Sequence, residues 1–385
     1  MKAKTSKKIL FVTHTLSIYG ASRSLEGLLC NLQGDISLVV PTLPWKKAPI
    51  VSEIGKRFSV DSNKVFPWFL PYRDCFVGES APWSGKLKRL LKNLIWRFFY
   101  KNRFSRWIKK SGFDLVHLNS LCLVDLIESE PRMSLHVRER WNKNDNLLKK
   151  IFPVAGLVFI DSSTKESLCH KPSENFHTTP MICLPNPTDL VIASDEESHK
   201  IRRNLLREDS TALTLFSIIG RIDFPGKGVD FLIENFLSLN DPNARLLLFG
   251  AGHAKEIARA KKIANQDARI LFLGEQSDQT LIYACTDIVL RGENAFAIGR
   301  SIQEGLVAGC RIIMPAPLFD RAKHSDLSTE MLSQISFYEA RNSSSLVKAL
   351  QSNSGFQRKK PLNLDSSAKP YAEKISQFLE RISSS

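Results

Sequence analysis

Residues 287–315, DIVLRGENAFAIGRSIQEGLVAGCRIIMP, hold two short apolar runs, DIVL and CRIIM, on either side of a segment of helical length. Glycines at 299, 305 and 309 punctuate that segment, which also carries Glu304. Strand, loop, helix, strand is the smallest unit that pairs strands in parallel, because a parallel pair needs a crossover of a dozen residues or more. The same alternation continues upstream. LTLFSIIG, ARLLLFG and RILFLG are apolar runs too uninterrupted for a half-exposed strand, separated by helical segments at 229–237 and 253–264. Such runs suit strands buried on both faces. The first half repeats the pattern with KKILFVT, a helix from 21 to 32, ISLVVP, FDLVHL, SLHV, GLVFID and MICLP. Two doubly wound α/β domains follow.

A length of 385 residues exceeds what one core usually serves, and 43% hydrophobic with 24% charged residues is ordinary for a packed chain. The polar stretch 193–210 reads as an interdomain connection with a short helix. It places an N-terminal domain at 1–193, a second at 194–365, and a C-terminal helix at 366–385 that packs back on the first. Serines at 343–345 and 383–385 read as loop and frayed terminus. No run approaches a membrane span, and a cleaved leader is not expected. The seven cysteines are scattered without a C-x-x-C pair, which fits reduced thiols in a cytoplasmic protein.

Net charge is +15, which points to an anionic partner. Residues 86–110 hold ten cations (Lys86, Lys88, Arg89, Lys92, Arg97, Lys101, Arg103, Arg106, Lys109 and Lys110) and no acid. Large apolar side chains interleave with them across 84–110, a pattern suited to an anionic membrane surface rather than a nucleic-acid groove. Trp96, Phe99 and Trp107 are the side chains expected to enter the lipid. The other reading is that these aromatics pack on the core and the cations form a solvated face.

In open parallel sheets ligands bind beyond the carboxyl ends of the strands, where helix N-termini present unpaired N–H groups. Four such junctions are candidates. Gly20 follows the first strand and opens a helix. Arg221 follows LTLFSIIG, and Lys227 stands between Gly226 and Gly228 before the next helix, so two cations converge as a diphosphate would require. Gly250 ends ARLLLFG in a tight turn. Glu304 could orient a ribose by accepting its hydroxyls. Each junction taken alone is also an ordinary turn or a surface residue.

Together GASRSL, HVRE, LPNPTD, GRIDFPGKG, GAGHAKE and GRSIQEGLVAGC resemble the family 4 glycosyltransferases of GT-B fold, over nearly the whole chain. The resemblance implies two facing Rossmann-like domains with a donor cleft between them. It implies a hexosyltransferase moving sugar from a nucleotide-diphospho-sugar to a glycan or lipid-linked acceptor, in bacterial surface polysaccharide or lipopolysaccharide synthesis. Transfer would proceed with retention and without a metal, the nucleotide-sugar being substrate and no cofactor being needed. By that resemblance Arg221 and Lys227 bind the diphosphate and Glu304 binds the ribose; the junction residues Gly20, Gly250, Gly299 and Arg300 are read as lining the same donor site. His136 is the histidine facing the donor sugar, with His117 as its competitor. The family's paired glutamates, Glu-x7-Glu, would put the first at Phe296. Glu293, three residues earlier, is the substitute. Pro187 stands where the family's connection has glycine. Two other readings compete, a nucleic-acid glucosyltransferase of the same fold and a relative that binds donor without turnover.

Overall fold

The computed structural model describes residues 7–17, 20–43, 47–71, 83–128, 132–139, 151, 153–169, 178–207, 212–294, 296, 298–316, 327–356, 358, 361–362 and 367–384, with backbone alone at 83–86, 88 and 89. The chain divides into two compact units, Met1–Pro187 with Ser366–Ser385, and Thr188–Asp365. The division falls at 187/188, where the sequence reading puts it at 193/194, because the extended residues 188–194 and the helix Asp195–Leu206 that they enter belong with the second unit.

The first unit is a seven-stranded parallel sheet in the order β3-β2-β1-β4-β5-β6-β7. Its strands are β1 (Lys8–Val12), β2 (Asp35–Pro41), β3 (Val65–Trp68), β4 (Leu115–Leu118), β5 (Met133–Val137), β6 (Gly156–Phe159) and β7 (Met181–Cys183). Alternation along β1 explains its uninterrupted apolar run. Leu10 and Val12 face a core shared with Trp96, Phe104 and Ile108, while Ile9 and Phe11 face another built with Leu25, Leu28 and Phe58. The C-terminal helix Ala368–Ser384 closes that second core with Tyr371, Ile375, Phe378 and Leu379. At Gly156 a Cβ would stand 2.8 Å from the Phe378 ring, so β6 meets this helix without room for a side chain.

The second unit is a six-stranded parallel sheet in the order β10-β9-β8-β11-β12-β13. Its strands are β8 (Thr214–Ile219), β9 (Ala244–Phe249), β10 (Ile270–Gly274), β11 (Ile288–Leu290), β12 (Arg311–Pro315) and β13 (Ile335–Tyr338). Here too alternate residues of β8 and β9 feed two cores, Phe216, Ile218, Leu246 and Leu248 on one side, Leu215, Leu247 and Phe249 on the other. In each sheet the winding reverses between the first and fourth strands of the unit, β1 and β4 in one and β8 and β11 in the other. Open α/β sheets bind ligands at such reversals.

Three expectations change. Residues 343–345 begin the helix Ser343–Ser352, where Asn342 caps by accepting from the Ser345 N–H at 3.0 Å, and Ser383 and Ser384 continue the terminal helix. The serines there occupy a helix start, where short polar side chains are favoured. Edge strands β3 and β13 escape the apolar-run criterion because Pro67 and Ser336 break their runs. In the basic segment the helices Trp83–Ile95 and Lys101–Ser111 are joined by a π-helical turn, Trp96–Tyr100. Trp96 is buried in the core, and Trp107 packs on Phe66, Trp68, Phe104 and Phe113. Of the three aromatics expected to enter lipid, only Phe99 is exposed.

Candidate functional site

In the second unit the loops leaving β8 and β11 are locked together by glycine. Gly228 has φ +62°, and a Cβ there would lie 2.0 Å from the Gly292 carbonyl oxygen. Gly250 does the same one strand over, a Cβ falling 1.7 Å from the Gly220 carbonyl. The contact at Gly250 is therefore with the neighbouring loop's backbone. Asp223 holds the turn before Lys227 by accepting from the Gly226 N–H at 3.2 Å.

That lock sets Lys227 beside the end of β11. Lys227 Nζ lies 2.9 Å from Glu293 Oε1, and Arg291 Nε donates to Glu293 Oε2 at 3.0 Å, with a second, shorter Arg291 bond to Oε1. Burial pushes the Glu293 carboxyl up, but Arg291 and Lys227 outweigh it and hold the carboxyl down to about 2. The group is a carboxylate between two cations at the β8/β11 reversal, with the Lys227 side chain still 41% exposed and Glu293 14%. Arg221, one residue past Gly220, is exposed at the same strand end.

Arg291 extends the group to the next helix. Its guanidinium donates to the Ser301 hydroxyl and lies against Gly299, where a Cβ would be 3.3 Å from Nη2. Gly299 is the N-cap of the helix Arg300–Val307, whose N-terminal N–H groups and partial positive charge favour an anion. Within that helix Arg300 donates to Glu304 Oε1 at 3.0 and 3.2 Å, and the Tyr283 hydroxyl donates to Oε2 at 3.0 Å. Glu304 is buried, held by Arg300 and the Tyr283 hydroxyl. Phe296, where the Glu-x7-Glu spacing would place a glutamate, is a core residue against Phe337.

In the first unit Gly20, φ +44°, opens the helix Gly20–Asn31 with nothing within 4 Å of where its Cβ would be. His136 sits inside β5, fully buried, its ring 5.6 Å from that of His117. The side chain that emerges from the end of β5 is Arg138. It donates to His136 Nδ1 at 3.2 Å, to Asn119 Oδ1 at 2.8 Å and to Asn186 Oδ1 at 2.6 Å. Asn186 also accepts from the Ser24 hydroxyl at 3.0 Å, and Asn119 Nδ2 donates to the Ala21 carbonyl at 3.2 Å. Arg138 thereby ties the ends of β4, β5 and β7 to the first turn of the helix Gly20–Asn31. Among the described residues, Arg138 links His136 to these loop ends.

Nearby, one atom each of His14, Cys122 and Glu139 lie within 4.8 Å of one another, a donor set of the kind that holds metal ions. Glu139 already accepts from the Ser120 hydroxyl at 2.5 Å and the Leu121 N–H at 3.0 Å. Burial, then Arg138 and Lys92, hold the His14 ring down to about 4, so a cation would enter against two positive side chains. The engaged Glu139 and the two cations beside His14 oppose a metal ion there.

The structure thus joins Lys227 and Glu293 directly, brings Gly299 to them through Arg291, and pairs Arg300 with Glu304, in one unit, while Gly20 and His136 share the other. Arg291, Arg138, Asn119 and Asn186 were not singled out from sequence as site residues. Each stands one to three residues beyond an apolar run, the position where the carboxyl end of a parallel strand delivers a side chain.

No protein-family model and no curated protein sequence matches the chain. Among solved structures, Anabaena HepE in complex with UDP and glucose is similar at TM-score 0.66 and 13% identity, with 98% of each chain covered. Sucrose-phosphate synthase from Thermosynechococcus elongatus is similar at 0.63 and 13%, covering 98% of this chain and 96% of that one. WaaG, a glycosyltransferase involved in lipopolysaccharide biosynthesis, is similar at 0.56 and 14%, covering 97% and 95%. At such identity the likeness carries architecture, and with the two parallel sheets it shows that the chain has the GT-B fold, α/β with two Rossmann-like domains.

Proposed function

We propose that this protein is a glycosyltransferase that moves a sugar from a nucleotide-diphospho-sugar to a glycan or lipid-linked acceptor. The observation that carries the reading is the Lys227–Glu293–Arg291 group at the β8/β11 reversal, continuous with the N-terminus of the helix Arg300–Val307. Arg221, Lys227 and that helix terminus suit a diphosphate, whose charge grows as the glycosidic bond breaks. Glu304, held by Arg300 and Tyr283, accepts a ribose hydroxyl, and Glu293 reaches the donor sugar. Cations and backbone N–H groups do the work that a metal does in other nucleotide-sugar enzymes. Transfer proceeds with retention, the acceptor attacking from the face the diphosphate leaves through an oxocarbenium-like state. His136 acts through Arg138 as a positioning residue. The neighbours HepE, with UDP and glucose bound, and WaaG, of lipopolysaccharide biosynthesis, support uridine nucleotides as the first donors to try and bacterial surface polysaccharide as the setting.

The test is release of nucleoside diphosphate from a panel of nucleotide-sugars by purified protein with glycan and lipid-linked acceptors, the product anomer being read by NMR. One donor should support turnover with retained configuration, and Lys227→Ala should slow it about a hundredfold. Inverted product would refute retention, and turnover unchanged in Lys227→Ala would refute the site.

A further inference from the structure

The helix Trp83–Ile95 and the π-helical turn after it present two apolar faces, of which one has no protein partner among the described residues. Toward the first unit's core face Trp96, which is buried, and Ile95, with Lys92 Nζ 5.7 Å from the Phe69 ring. At roughly 100° per residue Leu87, Leu91 and Leu94 fall on one stripe of the α-helix with Leu90 beside it, and the exposed Phe98 and Phe99 follow in the π-helical turn. Their exposure is high, 62% for Leu87, 58% for Leu90, 57% for Leu91, 40% for Leu94 and 71% for Phe98, with Phe99 at 67%. They supply most of the exposed large hydrophobics among the described residues; only Ile50 and Val191 lie elsewhere. A single exposed leucine needs no explanation, but a contiguous stripe of this kind marks an interaction surface.

Charge says what covers it. Between Ala81 and Phe113 the sequence has ten cations and no acid, and Arg97, Lys101, Arg103, Arg106, Lys109 and Lys110 are exposed on the same helical run. An apolar stripe bordered by cations complements a bilayer surface, with acyl chains below and anionic headgroups beside them. No helix among the described residues is long and apolar enough to cross a membrane, so the segment would lie along the surface. We propose that residues 87–99 seat the N-terminal unit on an anionic bilayer, with Leu87, Leu90, Leu91, Leu94, Phe98 and Phe99 entering the headgroup boundary. This is independent of the donor site and refines the sequence expectation, since Trp96 and Trp107 belong to the core and the leucines enter instead.

Co-sedimentation of the full chain with phosphatidylcholine vesicles, with and without phosphatidylglycerol, tests it at physiological salt. Wild type should bind the anionic vesicles. The triple variant Leu87→Gln/Leu91→Gln/Phe98→Gln should bind them about tenfold or more weaker with an unchanged melting temperature, because all three side chains are already solvated. Arg97→Gln/Lys101→Gln/Arg103→Gln should weaken binding to anionic vesicles and leave the zwitterionic ones unaffected. Absence of wild-type binding overturns the proposal. So does wild-type affinity in the apolar triple variant, or a dimer in solution that this variant splits while vesicle binding is absent, which would make the stripe an interface between two copies.

Discussion

Glu293 shows why a motif can be readable while its chemistry is not. The sequence places a glutamate near the expected spacing but off register, and cannot show that Lys227, 66 residues away, would pair with it. The loop lock at Gly228 and Gly292 makes that pairing, and Arg291 completes it. Held down to about 2, Glu293 is charged at any working pH and balances Arg291 and Lys227; on the proposed reading it keeps these two cations from gripping the diphosphate equally before and after bond cleavage. Glu293→Gln should therefore cut turnover about a hundredfold while nucleoside diphosphate affinity stays the same or rises, as steady-state kinetics and calorimetry on one preparation would show. Wild-type turnover in Glu293→Gln would remove the residue from the site. The same blindness to tertiary contact explains His136. A histidine near a strand end looks available in sequence, and only the sheet shows it enclosed, with Arg138 as the group that reaches the loops.

At the scale of elements, most of the order was legible because strands buried on both faces are long apolar runs and the helices between them carry caps and glycines. What escaped were the edge strands, whose pattern is diluted by Pro67 and Ser336, and the helix that starts in a serine run. Glycine roles were half legible: a loop glycine announces a turn but not its neighbour. Gly228→Ala and Gly20→Ala separate the two cases. Both have positive φ, so each costs about 1 kcal/mol for the left-handed backbone. Gly20 has open space, whereas a Cβ at Gly228 would collide with the Gly292 carbonyl. Thermal melts should show a small loss for Gly20→Ala and a loss of about 3 kcal/mol or more for Gly228→Ala. Equal losses would mean the β8 and β11 loops are not locked as described.

For the molecule as a whole, mild acid acts on the first unit through its enclosed histidines. His14, His117 and His136 all belong to the first unit, and burial, followed by the Arg138 charge, lowers each ring below its ordinary 6.5, to about 4 for His14 and about 3 for His117. A ring that resists protonation only when folded contributes stability that is full above 6.5 and lost as pH falls toward the folded value, because the unfolded chain then binds more protons. Glu139, raised by burial, works in the opposite sense, one group against three. Between pH 6.5 and 5 the first unit should lose stability for each histidine with a slope that rises toward about 1.4 kcal/mol per pH unit as the unfolded ring becomes protonated, and His117→Asn should flatten it. A melting temperature constant from pH 7 to 5 would contradict the enclosed histidines.

Whether the second unit is a donor site is the question on which the functional reading turns, and calorimetric titration with a panel of nucleoside diphosphates, uridine diphosphate first, addresses it most directly. One nucleotide should bind wild type and bind ten- to a hundredfold more weakly to Lys227→Ala and to Glu304→Ala, at about 1.5–3 kcal/mol for each charged contact removed. If no nucleotide binds, or if one binds both variants as tightly as wild type, the loops at the β8/β11 reversal do not hold the donor and the reading fails.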